Sequence, residues 1–232
     1  MVDRPEAIDL LGKTLLFGAL GPADLARVAA ELHECGFASG QLVFARGDPG
    51  EEIYLVVEGR VRLSVLAADG GELAFGHAGR GDVFGEIAVF DGGERTADAT
   101  ALTKVRALAL PRASFRRLIT THLDIADTAI KFLCNRLRVT SGQLEGVALN
   151  RLEVRLAKYL IHKITTLNPA RENGRVILDL GISQGELAML IGTKRQSVNA
   201  ALATLHSTGV LTRDGARLDC NVERLMQLAA LE

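Results

Sequence analysis

The most regular feature of the chain is a line of residues, Ala126, Ile130, Leu133, Leu137, Thr140, Leu144 and Val147, spaced at intervals of 4, 3, 4, 3, 4 and 3. Alternating threes and fours form a heptad seam, which puts the line on one side of a helix and demands a second apolar surface along it. No other heptad segment occurs in the sequence. The seam therefore predicts a parallel homodimer, although a helix laid along its own domain would satisfy the same stripe. Thr140 brings a hydroxyl into this line, with Ser141 beside it. A buried hydroxyl without a partner costs on the order of 1–3 kcal/mol, so either its own helix carbonyl or another group must meet it. Gly142 and Gly146 follow, and each lowers helix propensity by roughly 0.8–1 kcal/mol relative to Ala. The end of this helix is marginal by itself.

A length of 232 residues accommodates two domains, and 48% apolar residues with mixed charge describe an ordered globular chain. No run of about 18 apolar residues is present to span a bilayer, and the N-terminus lacks the pattern of a signal peptide. Cys35, Cys134 and Cys220 are far apart and odd in number. They form neither a metal spacing nor a disulfide framework, and they read as small buried hydrophobes in a reducing cytoplasm. The net charge of −1 conceals an asymmetry: residues 151–232 carry 11 Lys and Arg against 8 Asp and Glu, leaving 16 against 20 in residues 1–150. An acidic front and a mildly basic back fit a chain whose second part meets a polyanion.

Pro22 and Asp24 open a helical pattern with Leu25, Val28, Ala29 and Leu32 at helix spacing. From Gly40 to about Leu110 short strand-like runs (Ile53, Leu55, Val57; Val61, Leu63, Val65) alternate with turn signals: Gly47-Asp48-Pro49-Gly50, Glu58-Gly59, Asp69-Gly70-Gly71 and Gly79-Arg80-Gly81-Asp82. This spacing predicts an all-β barrel or jelly roll, closed by a helix after Pro111. Beyond Asn150 the pattern returns to helix (Leu152, Leu156, Tyr159, Leu160), then a turn region at Asn168–Gly174 and a short strand from Val176 to Leu180. Ser183, with Glu186 three residues on, makes a capping box. Leu187, Ala188 and Leu190 face inward, Gly192 turns the chain, and a second helix buries Val198, Leu202 and Leu205. Two short helices with a glycine between them form a helix-turn-helix. The expected organisation is α+β: a β-roll domain over 1–123, a dimerisation helix over 124–149, and a winged helix-turn-helix domain over 150–232.

Two clusters carry chemistry. In the second helix of the helix-turn-helix, Arg195, Gln196 and Asn199 fall opposite Val198 and Leu202. Arg bonds guanine N7 and O6 together, while Gln or Asn bonds adenine N7 and N6, so the face suits a major-groove reader. Ser183, Gln184, Lys194 and Ser197 supply hydroxyls, an amide and a charge for phosphates or bases. The other cluster is the glycine-rich stretch Gly85-Glu86-Ile87-Ala88 with Arg95-Thr96-Ala97. A cyclic nucleotide presents one phosphate anion, a ribose hydroxyl and a base. The planar fork of Arg95 matches the phosphate, backbone N–H groups after Gly85 add donors, Glu86 accepts from the ribose, and Thr96 offers a hydroxyl. No nucleophile–base constellation points to an enzyme.

The spacing of Gly85-Glu86-Ile87-Ala88 and Arg95-Thr96-Ala97 resembles the phosphate-binding cassette of cyclic-nucleotide-binding domains, and Arg136-Leu137-Arg138-Val139-Thr140-Ser141 resembles the dimer helix of the CRP/FNR family of bacterial transcription regulators. With the helix-turn-helix, the resemblance spans nearly the whole chain. It implies Glu86 as the ribose-binding acid and Arg95 as the phosphate-binding base. Thr140 and Ser141 would meet the purine, one from each protomer, and Ile130, Leu133, Leu137, Leu144 and Val147 would form the dimer seam. Arg195 and Gln196 match base-reading positions, whereas Ala200 stands where the family pattern has a second reading Arg. The cysteine cluster of the iron–sulfur branch is missing.

The expected ligand is cAMP in preference to cGMP, without a metal, because Thr140 and Ser141 suit the adenine amino group. Thr96 next to Arg95 also resembles the threonine of cGMP-selective domains. Double-stranded operator DNA and RNA polymerase are the implied partners, with no membrane. Two rival readings remain at this point: a cyclic-nucleotide-binding regulatory subunit of an enzyme, and the same DNA-binding fold gated by another ligand such as haem, for which His77 is the candidate.

Overall fold

The computed structural model describes residues 3–66, 72–167, 173–214 and 217–230. The expected turn at Asp69-Gly70-Gly71 and most of the turn region after Asn168 lie outside them. The chain divides into two compact units, residues 1–138 and 139–232.

The first unit opens with α1 (Arg4–Gly12) and α2 (Pro22–Ala30), each with a proline in its first turn, where the missing N–H costs nothing. The strands follow: β1 (His33–Phe37), β2 (Leu42–Phe44), β3 (Glu52–Glu58), β4 (Val61–Leu66), β5 (Glu72–Ala78) and β6 (Val83–Phe84). A short helix, α3 (Glu86–Asp91), precedes β7 (Asp98–Ala101) and β8 (Val105–Pro111), and then come α4 (Arg112–Thr121) and α5 (Leu123–Leu149). The strands make two four-stranded sheets, ordered β1-β8-β3-β6 and β2-β7-β4-β5, with every pairing antiparallel. This is the expected β-roll. It begins before Gly40, at β1 (His-Glu-Cys-Gly-Phe), whose apolar alternation is only the pair Cys35 and Phe37 and whose partner, β8, lies about seventy residues on.

Strand β3 corrects the simple inside–outside alternation expected of it, because Ile53 through Val57 are all buried. Ile53, Leu55 and Val57 join a cluster with α1, α2, α4 and α5, while Tyr54 and Val56 join the core between the sheets. A strand covered on both faces reads as a continuous apolar run. The core between the sheets holds Ala99, Ala101, Ala107 and Ala109, small residues that let the two layers approach.

Helix α5 carries two apolar stripes. Ile125, Ala129 and Phe132 are buried in the helix-covered core of the first unit. The heptad line is a separate stripe: Ile130 is 61% exposed, Leu133 38%, Leu137 68%, Leu144 69% and Val147 52%. The alternative in which the seam is covered by its own β-roll is therefore not the arrangement found, since another face of the helix does that work. Cys134 is exposed on α5, Cys35 is partly buried and only Cys220 is fully buried. The expectation of three buried cysteines holds in full only at Cys220, and it fails outright at Cys134, which lies beside the open seam. The helix continues through Gly142 and Gly146 to Leu149.

The second unit contains α6 (Leu152–Leu167), β9 (Arg175–Asp179), α7 (Gln184–Leu190), α8 (Arg195–Ser207), β10 (Leu211–Asp214), β11 (Arg217–Asn221) and α9 (Val222–Ala229). Its core draws Leu156, Leu160 and Ile164 from α6, Leu187 and Ala188 from α7, and Val198, Leu202 and Leu205 from α8. Ser183 accepts a hydrogen bond from the Glu186 N–H, capping α7. Gly192 turns at φ 66° between α7 and α8, a left-handed conformation that favours glycine. Strands β10, β11 and β9 form a three-stranded antiparallel sheet, the wing beside the two helices. Among the described residues no helix is long and apolar enough to cross a membrane.

Candidate functional site

In the first unit the glycine-rich cassette surrounds a buried guanidinium. Arg95 is 5% exposed. Its Nη1 donates to the Gly85 carbonyl, its Nη2 donates to the Glu52 carbonyl at 2.8 Å, and its plane lies 4.1 Å from the centre of the Phe44 ring. The backbone is pinned as well: Arg95 N–H donates to Asp48 O at 2.8 Å, and Gly47 N–H donates to Arg95 O at 2.9 Å. The Gly47–Gly50 turn thus fixes the cassette arginine from both sides. Phe44, Tyr54 and Phe84 stack under it with centroids 5.1–6.0 Å apart.

Glycines make this possible. Gly85 has φ 77°, and a Cβ there would lie 2.7 Å from Arg95 Nη1. A Cβ on Gly50 would fall 2.2 Å from that of Ala88 on α3, so the turn and the helix touch backbone to side chain.

Glu86, first residue of α3, is 5% exposed. Burial pushes its carboxyl above the usual carboxylate range, opposed by Arg136, its own backbone and Arg95. Arg136 on α5 lies 3.7 Å from Glu86 through Nε and donates to Val83 O at 3.0 Å. Burial lowers the pKa of Arg95, opposed by Tyr54, Glu52, Asp48 and Glu86. One polar atom of the cluster is unused: Arg95 Nε is buried with no hydrogen-bond partner among the described residues. Such an atom is rare in native proteins and asks for an acceptor. A phosphate oxygen fits that donor, and a ribose hydroxyl fits Glu86.

The expected residues are thus brought together in part. Gly85, Glu86, Ala88, Arg95 and Ala97 lie in or under the cassette, with Ala88 and Ala97 buried, whereas Ile87 and Thr96 are exposed. Thr140 and Ser141 are exposed on the portion of α5 that belongs to the second unit. Arg136 is a site residue that the cassette spacing alone does not reveal; its only signal was its place in the helix motif. His77, which a haem reading would use, is partly buried on β5 opposite Arg62.

In the second unit Lys194 caps α8, and Arg195, Gln196 and Asn199 are exposed along its first turns, with Ser197 partly exposed. Val198 and Leu202 are buried on the other side, so the polar face is where the helical periodicity placed it. Ser183 is exposed at the start of α7. The Gln184 amide satisfies both its neighbours in one orientation: its nitrogen donates to Asn199 Oδ1 at 2.6 Å, and its oxygen accepts from Arg213 Nη1 at 2.6 Å and Nη2 at 2.9 Å. Asn199 thereby engages one of the two groups that paired adenine reading requires.

Two substitutions test the cassette. Gly85→Ala should lower the unfolding free energy by more than about 1 kcal/mol, since the left-handed conformation alone carries that penalty for a Cβ; denaturant melts followed by circular dichroism measure it. Glu86→Gln should do the opposite at neutral pH. A buried carboxyl whose folded pKa is raised loses stability as pH climbs from its unfolded value of 4.5 through the folded one. The variant should therefore melt above the parent at pH 7, and the gap should close as the pH falls toward 4.5.

Comparison with known proteins assigns a family to each part of the chain. Residues 34–122 match the cyclic nucleotide-binding domain family and residues 154–231 match the Crp-like helix-turn-helix domain family. The chain is 32% identical over 222 residues to a CRP-like cAMP-activated global transcriptional regulator of Mycobacterium tuberculosis, covering 95% of this chain and 99% of that protein. It is 30% identical to the cyclic AMP receptor protein of Thermus thermophilus, over 84% of this chain and 87% of that one. FixK2 of Bradyrhizobium japonicum shares the fold, with a TM-score of 0.76 at 23% identity over 87% of this chain and 98% of that one. The chain belongs to the CRP/FNR family of transcription regulators, with a cyclic-nucleotide-binding domain in front of a Crp-like DNA-binding domain.

Proposed function

We propose that the protein is a homodimeric transcription regulator whose operator binding is gated by cAMP. The observation that carries the ligand is the buried Arg95, whose Nε lacks an acceptor beside a protonation-prone Glu86. In this reading Arg95 holds the cyclic phosphate, Glu86 accepts from the ribose, and Thr140 and Ser141 meet the purine, one from each protomer. The exposed heptad stripe supports the homodimer, with residues 124–149 as its helix and the domains on either side at 1–123 and 150–232. Ser183, Lys194, Arg195, Gln196, Ser197 and Asn199 face the operator. RNA polymerase is the expected protein partner, in the cytoplasm. The names of the two relatives, both tied to cyclic AMP, favour cAMP, and Thr96 beside Arg95 keeps cGMP as the competitor.

Ligand bridging the cassette and the seam would favour a stiffer end to α5 and set the two copies of α8 about 34 Å apart, one turn of DNA. The break between α5 and α6 at Asn150-Arg151 is the hinge in this scheme. A Cβ on Gly142 would meet nothing within 4 Å, and one on Gly146 only the Asn150 amide at 3.7 Å. Alanine therefore fits at both, and each should add roughly 0.8–1 kcal/mol of helix propensity.

Selection from a randomised duplex pool at fixed salt, with no nucleotide, cAMP or cGMP, tests the reading. Enrichment with cAMP alone is expected. Enrichment with cGMP alone would reassign Thr96 to base selection, and equal enrichment in all three conditions would end the gating scheme. The double variant Gly142→Ala, Gly146→Ala should bind the selected duplex more tightly than the parent without nucleotide; unchanged affinity would remove the stiffening step.

A further inference from the structure

We infer that His33 on β1 is a positioning residue of the cassette: acting through Glu52, its protonation tightens the hold of Arg95 on an anion. The inference rests on the reading of Arg95 as the phosphate-binding residue. A line of contacts runs from the surface to that arginine. The His33 side chain is 52% exposed, and its Nε2 lies 3.1 Å from Glu52 Oε1. The other oxygen of the same carboxyl accepts from the Tyr54 hydroxyl at 3.0 Å. Tyr54 is buried, stacks with Phe44 and Phe84, and has its ring centre 5.8 Å from Arg95 Cζ. The Glu52 carbonyl accepts from Arg95 Nη2 at 2.8 Å. Glu52 alone therefore touches the surface histidine, the aromatic floor and the buried cation.

The Glu52 carboxylate acts in two directions. Burial lowers the pKa of Arg95, and Glu52 is among the groups, with Tyr54, Asp48 and Glu86, that oppose this. An anion arriving at Arg95 meets the same carboxylate as repulsion. A protonated imidazole against Glu52 offsets that repulsion and a neutral one leaves it, and histidine changes charge between about pH 5 and 8. The other groups around the pair are already engaged or silent in that range. Glu34 of β1 meets Arg106 of β8 at 3.1 Å, and Glu58 of β3 lies 3.7 Å from the same arginine. Burial, with Glu52 and Glu34, pushes the Cys35 thiol up to about 11. The residues paired with His33 and Glu52 across β8 are Ala109 and Pro111, which do not titrate. Within the cassette, Glu86 works in the opposite sense, because protonation makes it a poorer acceptor for a ribose hydroxyl as the pH falls. An anion and a protonated His33 favour one another, so the contribution of His33 is greatest at the acid end of the histidine range and disappears as the pH rises through it.

The rival role is an ordinary surface ion pair, whose charge water and salt screen from the site. Calorimetric titration of the full chain with cAMP, and with cGMP, from about pH 6 to 8.5 at fixed ionic strength separates the two. His33→Lys carries a positive charge throughout that range and His33→Gln carries none; circular dichroism checks that both are folded. The parent should bind like His33→Lys at the acid end and like His33→Gln at the alkaline end. The two variants should differ by roughly two- to fourfold, the scale of one charge acting across a high-dielectric boundary. The Glu86 trend is common to all three proteins and drops out of the comparison. Parallel profiles in the three folded proteins would make His33 a plain surface residue and overturn the inference, as would a parent that tracks one variant at every pH. Failure of the parent to bind either nucleotide at any pH would instead overturn the cyclic-nucleotide reading of the cassette, and this inference with it.

Discussion

The first unit is organised around a cation that it has taken out of water. Burying a guanidinium is costly unless its donors are met, and here two carbonyls and an aromatic face meet it. Those partners come from distant parts of the chain: Glu52 at the start of β3, Gly85 at the entry to α3, and Phe44 at the end of β2. Arg95 can be held this way only if β2 and β3 are brought to the cassette. The Gly47–Gly50 turn does that, exchanging backbone hydrogen bonds with Arg95 at 2.8 and 2.9 Å. Left-handed Gly85 then leaves room for the guanidinium where any Cβ would collide with it. The chain's own groups already order the arginine, so an anion bound there would not bear the entropy of ordering it.

Much of this was legible in the residues alone, for definable reasons. The cassette (85–97) and the helix-turn-helix (183–205) are each a single short stretch of chain, and glycines mark the turns that orient them. The heptad line was legible as a stripe from its spacing, but spacing did not say what covers it, and α5 carries a second stripe of the same period, Ile125, Ala129 and Phe132, that packs on the core of its own unit. What escaped depends on distant pairing. Strand β1 has too short a pattern to read, Cys35 and Phe37 alone, and is fixed by its pairing with β8. The double burial of β3 follows from helices that cover one sheet, which no alternation rule for a single strand anticipates. Cys134 looked like a buried cysteine by residue type, yet its position beside the open seam leaves it exposed.

The contacts of Arg136 and Arg213 were illegible for the same reason. Each is an arginine among many in the sequence, and each acquires meaning from a contact across the fold. Arg136 reaches the first strand-to-helix corner of the cassette, at Val83 and Glu86. Arg213 reaches the start of α7. Charge counting alone, with residues 151–232 only slightly basic, understated what the second unit presents, because placement on one face matters more to a polyanion than the net balance.

The contact between Arg136 and Glu86 also gives the ligand site a physical route to the long helix. At 3.7 Å the ion pair is loose, and Glu86 carries a carboxyl whose burial resists ionisation. A hydroxyl donating to that carboxylate would favour its charged form, and a charged Glu86 attracts Arg136 more strongly. Arg136 follows Phe132, buried in the unit's own core, by one helical turn and adjoins Leu137 of the exposed stripe. A change in the pairing of Glu86 would therefore be felt on α5 one turn after Phe132 and beside Leu137 of the seam. Two sites are coupled when an element between them has alternatives that both can bias. In the proposed gating scheme that element would be α5 from Arg136 onward, where Gly142 and Gly146 lower the helix propensity of the later turns.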